Sequence, residues 1–130
     1  RDMEWVSLIS LLALLQFSIF GILVGRARGK YGITAPATTG NEVFERTFRV
    51  HYNTLEKLVV FIPALWIHGY YIGQYWAAGL GLVYLLARTW YAITYIRDPQ
   101  SRVAGTMFTE LVLIALVVGG IWGAIVQLMA

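Results

Sequence analysis

The sequence contains no cysteine. That absence excludes disulfides, thiolate metal sites and a protein thiol nucleophile. Charge is scarce too: Asp, Glu, Lys and Arg make up 13% of the 130 residues, about half the share of a soluble domain. So little charge beside 58% apolar residues excludes an ordinary soluble fold and a disordered chain alike. Basic residues outnumber acidic ones only ten to seven. The margin is too narrow, and too mixed with apolar sequence, for a nucleic-acid binder. His51 and His68 lie too far apart to share a metal ion, so no metal is expected. The length allows a single domain, 1–130.

What the chain has instead is long runs without charge. Trp5 to Gly25 carries no ionisable side chain, and neither Leu58–Ala87 nor Leu111–Ala130 carries Asp, Glu, Lys or Arg. The first run is long enough for a span of about 20 residues. It is too long for a signal-peptide core and has no small-residue cleavage site after it. The middle run as one helix would be about 45 Å long, against a hydrocarbon core of about 30 Å. Its centre, Gly69-Tyr-Tyr-Ile-Gly73-Gln-Tyr-Trp76, combines glycines with interfacial aromatics and reads as a turn at a membrane surface. Pro99 ends the helix before it, because the residue preceding a proline avoids helical geometry.

These signals predict an all-α, up-down four-helix membrane bundle with spans at about 5–27, 42–69, 75–97 and 102–128. Trp5, Trp66 and Trp76 read as interface anchors. All but one of the basic residues then fall at or near one membrane face, and positive-inside bias makes that face cytoplasmic. Gly21 and Gly25 fit close helix packing or a lipid-facing helix equally well. Gly105, Gly119, Gly120 and Gly123 also permit close packing without saying between which helices.

Polar residues appear where they are expensive. Arg46, Arg49, Asn53 and Glu56 recur at helical spacing and share one face of the second span, with Glu42 and Lys57 beside it and His51 pointing away. Tyr84, Arg88, Tyr91 and Tyr95 share one face of the third, and Glu110 lies inside the fourth. Ionisable groups in spanning helices face a bundle interior or a wet cavity. A packing network, with Arg88 paired to Glu110, accounts for one or two such residues; so many cations, phenols and an amide converging near one face point to a pocket. His51, off the stripe, reads as a helix–helix hydrogen-bonding group. The pocket's chemistry suits a small polyanion bearing an amine, and its depth suits a second, lipophilic reactant arriving from the bilayer.

The segment Phe44-Glu-Arg-Thr-Phe-Arg-Val-His-Tyr-Asn-Thr-Leu-Glu56 resembles the signature of the MAPEG family, the membrane-associated proteins of eicosanoid and glutathione metabolism. Thr38-Thr-Gly40, Gly81-Leu-Val-Tyr-Leu-Leu-Ala-Arg88, Tyr91 and Tyr95 extend the likeness, and the Tyr95–Arg102 spacing is similar to the microsomal glutathione transferase and leukotriene-C-synthase branch. The resemblance implies a homotrimer binding glutathione between subunits near the cytoplasmic side. It implies that Arg49, Asn53 and Glu56 hold the carboxylates and amine of glutathione and that Tyr91 and Tyr95 contact its backbone or glycyl end. Arg28 and His51 would reach in from the adjacent subunit, and Arg102 would activate the thiol. The implied activity is transfer of glutathione to a lipophilic electrophile, with reduction of a lipid hydroperoxide as a peroxidase variant; the family also contains a non-catalytic lipid-binding scaffold. Two departures stand out. Lys57 replaces a tyrosine of that branch, and Gly29 and Ala35 replace an arginine and a proline of the leukotriene synthase loop, which weighs against a leukotriene precursor as substrate.

Overall fold

The computed structural model describes residues 2–130. Four helices follow one another: α1 (Glu4–Tyr31), α2 (Glu42–Tyr71), α3 (Gln74–Arg97) and α4 (Arg102–Met129), with a short 3₁₀ turn at Pro99–Ser101. Local chemistry sets their ends. Gly32, at φ 68°, closes α1 in the left-handed conformation that glycine adopts without a Cβ clash. The side chain of Asn41 caps α2 by accepting the Phe44 amide at 3.0 Å, while Glu45 reaches back to the Gly40 amide at 3.0 Å. Asp98 is extended before Pro99, as the proline demands, and accepts the Gln100 amide.

The α2–α3 reversal is tighter than the sequence suggests. Ile72 stays helical and its amide still bonds the His68 carbonyl, so the chain turns essentially at Gly73, whose φ of 141° disfavours any side chain. Pro63 lies within α2, a placement that membrane helices tolerate because surrounding groups re-satisfy the freed carbonyl.

α2 and α3 are the inner pair: each packs on both α1 and α4, which lie on opposite sides of the bundle. Val6, Ala13, Phe61, Leu65 and Leu116 form the main core, with the Phe61 ring stacked on Tyr84 at 3.7 Å. A smaller cluster of Phe20, Val50, Tyr91 and Ala92 lies toward the basic end. The outside is as apolar as the inside: Leu11 (64%), Val59 (68%) and Trp122 (65%) are wide open. A water-soluble monomer does not expose apolar surface continuously in this way, whereas lipid tails match it. By length and composition α1 and the Pro99–Met129 segment could each cross a bilayer. α2 and α3, comparable in length, carry the ionisable stripes instead.

Small residues let the helices close up. A Cβ on Gly105 would lie 2.7 Å from Tyr91 Cβ and 2.8 Å from its Cα, so α4 rests on the backbone of α3. Gly119 lies against the His68 ring and Gly21 against His51, but Gly25 has nothing nearby. Close packing thus explains Gly21 and not Gly25, and the α4 glycines pack against helices of the same chain. Gly105→Ala is expected to destabilise the bundle by about 1–3 kcal/mol through overpacking. Gly79→Ala, with open space around the new methyl, is expected to leave stability unchanged or raise it by up to about 1 kcal/mol. Thermal midpoints of the two variants in detergent check the contrast.

Candidate functional site

The centre of the polar region is Arg88, fully buried on α3. Its Nη2 donates to Asn53 Oδ1 and to Thr54 Oγ1, both at 2.8 Å, while Thr54 passes its own proton to the Val50 carbonyl. The guanidinium also lies 4.4 Å from the centre of the Tyr91 ring, a cation–π contact in a desolvated setting. With Asn53 Oδ1 taken by Arg88, the amide nitrogen is aimed at Glu56 Oε1, 3.4 Å away. Glu56 in turn faces Arg49 Nη1 at 3.7 Å. One chain of contacts therefore runs from the core to the surface: Arg88, Asn53, Glu56, Arg49.

The outer end of that chain is open. The side chains of Arg49 and Glu56 are 50% and 47% exposed. An ion pair so placed is worth at most about 1 kcal/mol in water, so a ligand carrying its own charges can divide it. Tyr91 and Tyr95 stack at 5.4 Å beside it, and the Tyr91 hydroxyl lies within electrostatic range of Arg49, Arg88 and Arg102. Arg49 and Tyr95 line a cavity of about 430 Å³ that reaches Pro99, just before α4. Glu42, Glu45 and Arg46 line the same cavity, so its two cations stand against two acids and it suits a ligand of mixed charge.

Of the residues singled out by sequence, the structure brings together Arg49, Asn53, Glu56, Tyr91 and Tyr95, with exposed Arg102 at the first position of α4 nearby. Arg28 and His51 sit elsewhere. Arg28 donates to the Ala37 carbonyl at 2.7 Å and covers the Phe44 ring, and His51 stacks on Phe17 of α1 at 4.5 Å. Arg46 lines the same cavity as Arg49 and also donates to the Ile96 carbonyl at 2.9 Å, tying α2 to the end of α3.

The sequence puts Arg88 on the inward face and offers Glu110 as its partner only if the polar residues form a packing network. The structure gives Glu110 to Lys57 as a direct ion pair and leaves Arg88 to Asn53 and Thr54. Arg88 Nε, Arg88 Nη1 and the Tyr84 hydroxyl, all buried, have no hydrogen-bond partner among the described residues. Periodicity could flag these residues as facing inward; it could not choose among their possible partners.

Comparison with known proteins identifies the family. The MAPEG family model matches residues 6–122. The chain belongs to the MAPEG family. As a family member it is an integral membrane helical bundle, which accounts for its apolar exterior. An uncharacterized protein of Synechocystis sp. is 45% identical over 127 residues, covering 98% of this chain and 93% of the relative. Microsomal glutathione S-transferase 2 of Mus musculus is 44% identical over 104 residues, 80% of this chain and 71% of its own. Leukotriene C4 synthase of Cavia porcellus is 37% identical over 103 residues, 79% and 69% of the two chains.

The Lys57–Glu110 pair is the direct ionic link between α2 and α4. Their side chains are 24% and 42% exposed, so solvent screening reduces its worth below that of a fully buried pair. Lys57→Met and Glu110→Leu are each expected to lower the thermal midpoint by leaving one charge without its partner. The double variant should recover part of the loss, with a coupling energy of about 1–2 kcal/mol. A coupling indistinguishable from zero in the double-mutant cycle would show that the pair contributes nothing.

Proposed function

We propose that this MAPEG protein is a membrane glutathione transferase that joins the glutathione sulfur to a lipophilic electrophile. The reading is carried by the half-exposed Arg49–Glu56 pair, anchored through Asn53 to buried Arg88, with exposed Arg102 opening α4, the helix whose Gly105 rests on Tyr91. Glutathione has two carboxylates and an amine. Arg49 can take a carboxylate and Glu56 the amine, each exchanging one charged partner for another, while the Asn53 amide nitrogen can donate to a carboxylate oxygen. Tyr91 and Tyr95 offer stacked phenols for the peptide backbone. The relatives named as a glutathione S-transferase and a leukotriene C4 synthase support the same substrate and a lipophilic partner.

Arg102 has the chemistry to activate the thiol. A thiol with pKa near 8.5 is only a few per cent ionised at neutral pH. Lowering that value by two units takes about 2.7 kcal/mol of preference for the thiolate. A guanidinium about 4 Å away at an effective dielectric of about 20 supplies about 4 kcal/mol before desolvation is subtracted. Arg102 stays charged under partial burial, makes no ion pair among the described residues, and opens α4, where no side chain caps the first amides. The helix dipole adds to its field there. The thiol proton leaves to water at the open end; the sulfur lone pair forms the C–S bond, and the electrophile's leaving group or π bond takes up the displaced electron pair.

Arg28 and His51 are held on the α1 side of the bundle, away from this cluster. Their proposed contact with glutathione therefore requires a neighbouring copy, and the reading includes a homotrimer whose sites lie between subunits, toward the cytoplasmic face. Sedimentation in detergent is expected to give three times the chain mass; a monomer would remove Arg28 and His51 from the site.

Adding glutathione to the purified protein should raise the ultraviolet absorbance of a thiolate. Arg102→Ala should lose most of that signal while glutathione affinity stays within about threefold. Arg49→Ala and Glu56→Ala should weaken binding itself, by about tenfold or more for loss of a charge-assisted contact. Full conjugation activity in Arg102→Ala would reject it as the activator. Glutathione binding with no thiolate in the unmodified protein would instead favour a non-catalytic member of the fold.

A further inference from the structure

Arg26 and Lys30 stand one helical turn apart on α1, both exposed, and take no part in the glutathione cluster. Neither belongs to an ion pair among the described residues; the Lys30 ammonium lies 5.4 Å over the Tyr31 ring. They flank a cleft of about 300 Å³ walled by Leu23 of α1, Val43 and Thr47 of α2 and Ile96 of α3, at the basic end of the bundle where the α1–α3 seam meets α2. No acid lines this cleft, and Thr47, its one uncharged hydroxyl apart from Tyr31, gives its proton to the Val43 carbonyl. The site is thus an apolar recess under two cations with no counter-charge.

The same seam continues away from the basic end as a groove of about 350 Å³, with Leu12, Leu15, Ile19 and Phe20 on one wall and Leu85 on the other. The polar side chain there, Gln16, turns its amide nitrogen to the Leu85 carbonyl at 3.0 Å and to Thr89 Oγ1 at 2.9 Å. Leu23 and Ile19 are one turn apart on α1, so recess and groove follow directly on one another. From Arg26 to Leu12 the helix runs about 21 Å, somewhat more than half a hydrocarbon core of about 30 Å. A basic recess at headgroup level above an apolar groove one leaflet long has the charge and shape of an anionic phospholipid.

We propose that the α1–α3 seam is a binding site for one anionic phospholipid, its phosphate held by Arg26 and Lys30 and one acyl chain lying along Leu23, Ile19 and Leu15. Basic pockets between spanning helices at the positively charged face select such headgroups. The site is separate from the glutathione cluster and requires only that the bundle sit in a membrane.

Native mass spectrometry of the full chain in detergent, titrated with phosphatidylglycerol or with phosphatidylcholine of the same acyl chains, tests this. The expected result is one phosphatidylglycerol per chain, retained at least tenfold better than phosphatidylcholine. Each cation near an anionic headgroup contributes about fivefold, so Arg26→Ala with Lys30→Ala should remove about 25-fold and abolish the preference. Leu85→Trp, which fills the groove, should weaken retention of both lipids and leave glutathione binding intact, as should the double variant; glutathione binding thereby reports that each variant is folded. Equal retention of the two lipids by the unmodified protein, or an undiminished preference in the double variant, overturns the proposal. Displacement of the lipid by glycerol phosphate at comparable concentration overturns it in favour of a site for free phosphate, and displacement by glutathione overturns it by making the seam part of the glutathione site.

Discussion

The structure depends on a guanidinium with no access to solvent. Arg88 lies inside a bundle whose exterior is itself apolar, so its charge must be satisfied by the protein. Asn53 and Thr54 on α2 supply oxygens, Tyr91 supplies the face of its ring, and Glu110 on α4 supplies a carboxylate within electrostatic range. These demands hold the register of α2 against α3, because sliding either helix by one residue would bury the cation without acceptors. A buried ionic group retained at such a cost is best explained by what it organises. Here it fixes Asn53, and through Asn53 the carboxylate of Glu56.

The site is therefore graded in stiffness. At its inner end, Arg88 bonds buried Thr54 and half-buried Asn53, both at 2.8 Å. At its outer end, Arg49 and Glu56 are half exposed and weakly tied to each other. A ligand of mixed charge can replace the outer pair without disturbing the inner one, which is the arrangement that preorganised binding requires. The approach of α4 to α3 at Gly105 belongs to the same design. Contact between Gly105 and the Tyr91 backbone brings the amino end of α4, with Arg102, to the tyrosine face of the cluster.

The basic end of the bundle offers two chemically distinct recesses. One, lined by Arg49 and Tyr95, includes acids and phenols and suits a zwitterion. The other, under Arg26 and Lys30, contains no acid and opens onto an alkyl groove. Their separation follows from the helix order. α1 and α4 lie on opposite sides of the inner pair, so the α1–α3 seam is remote from the edge at which α4 meets the cluster.

Much of the fold was legible in the chain because lipid imposes blunt rules. Charge-free runs, Gly73 at the reversal and Pro99 before the last helix mark four helices to within a few residues, and 3.6-residue periodicity puts Arg49, Asn53 and Glu56 on one face. The partners of Arg88 show where that reading stops. Periodicity tells which way a side chain points from its own axis, but partners are chosen by the rotation and depth of the neighbouring helices. Those are set by contacts such as Gly105 on Tyr91, Gly119 on His68 and Phe61 on Tyr84, each between residues far apart in the chain. Helix number, ends and polar faces come from local rules of hydropathy and backbone geometry. Which cation meets which acid, which glycines carry close packing, and that Arg28 and His51 stay with α1 and the α2 amino end were decided only when the four helices packed, because those energies belong to pairs of surfaces and not to any single segment.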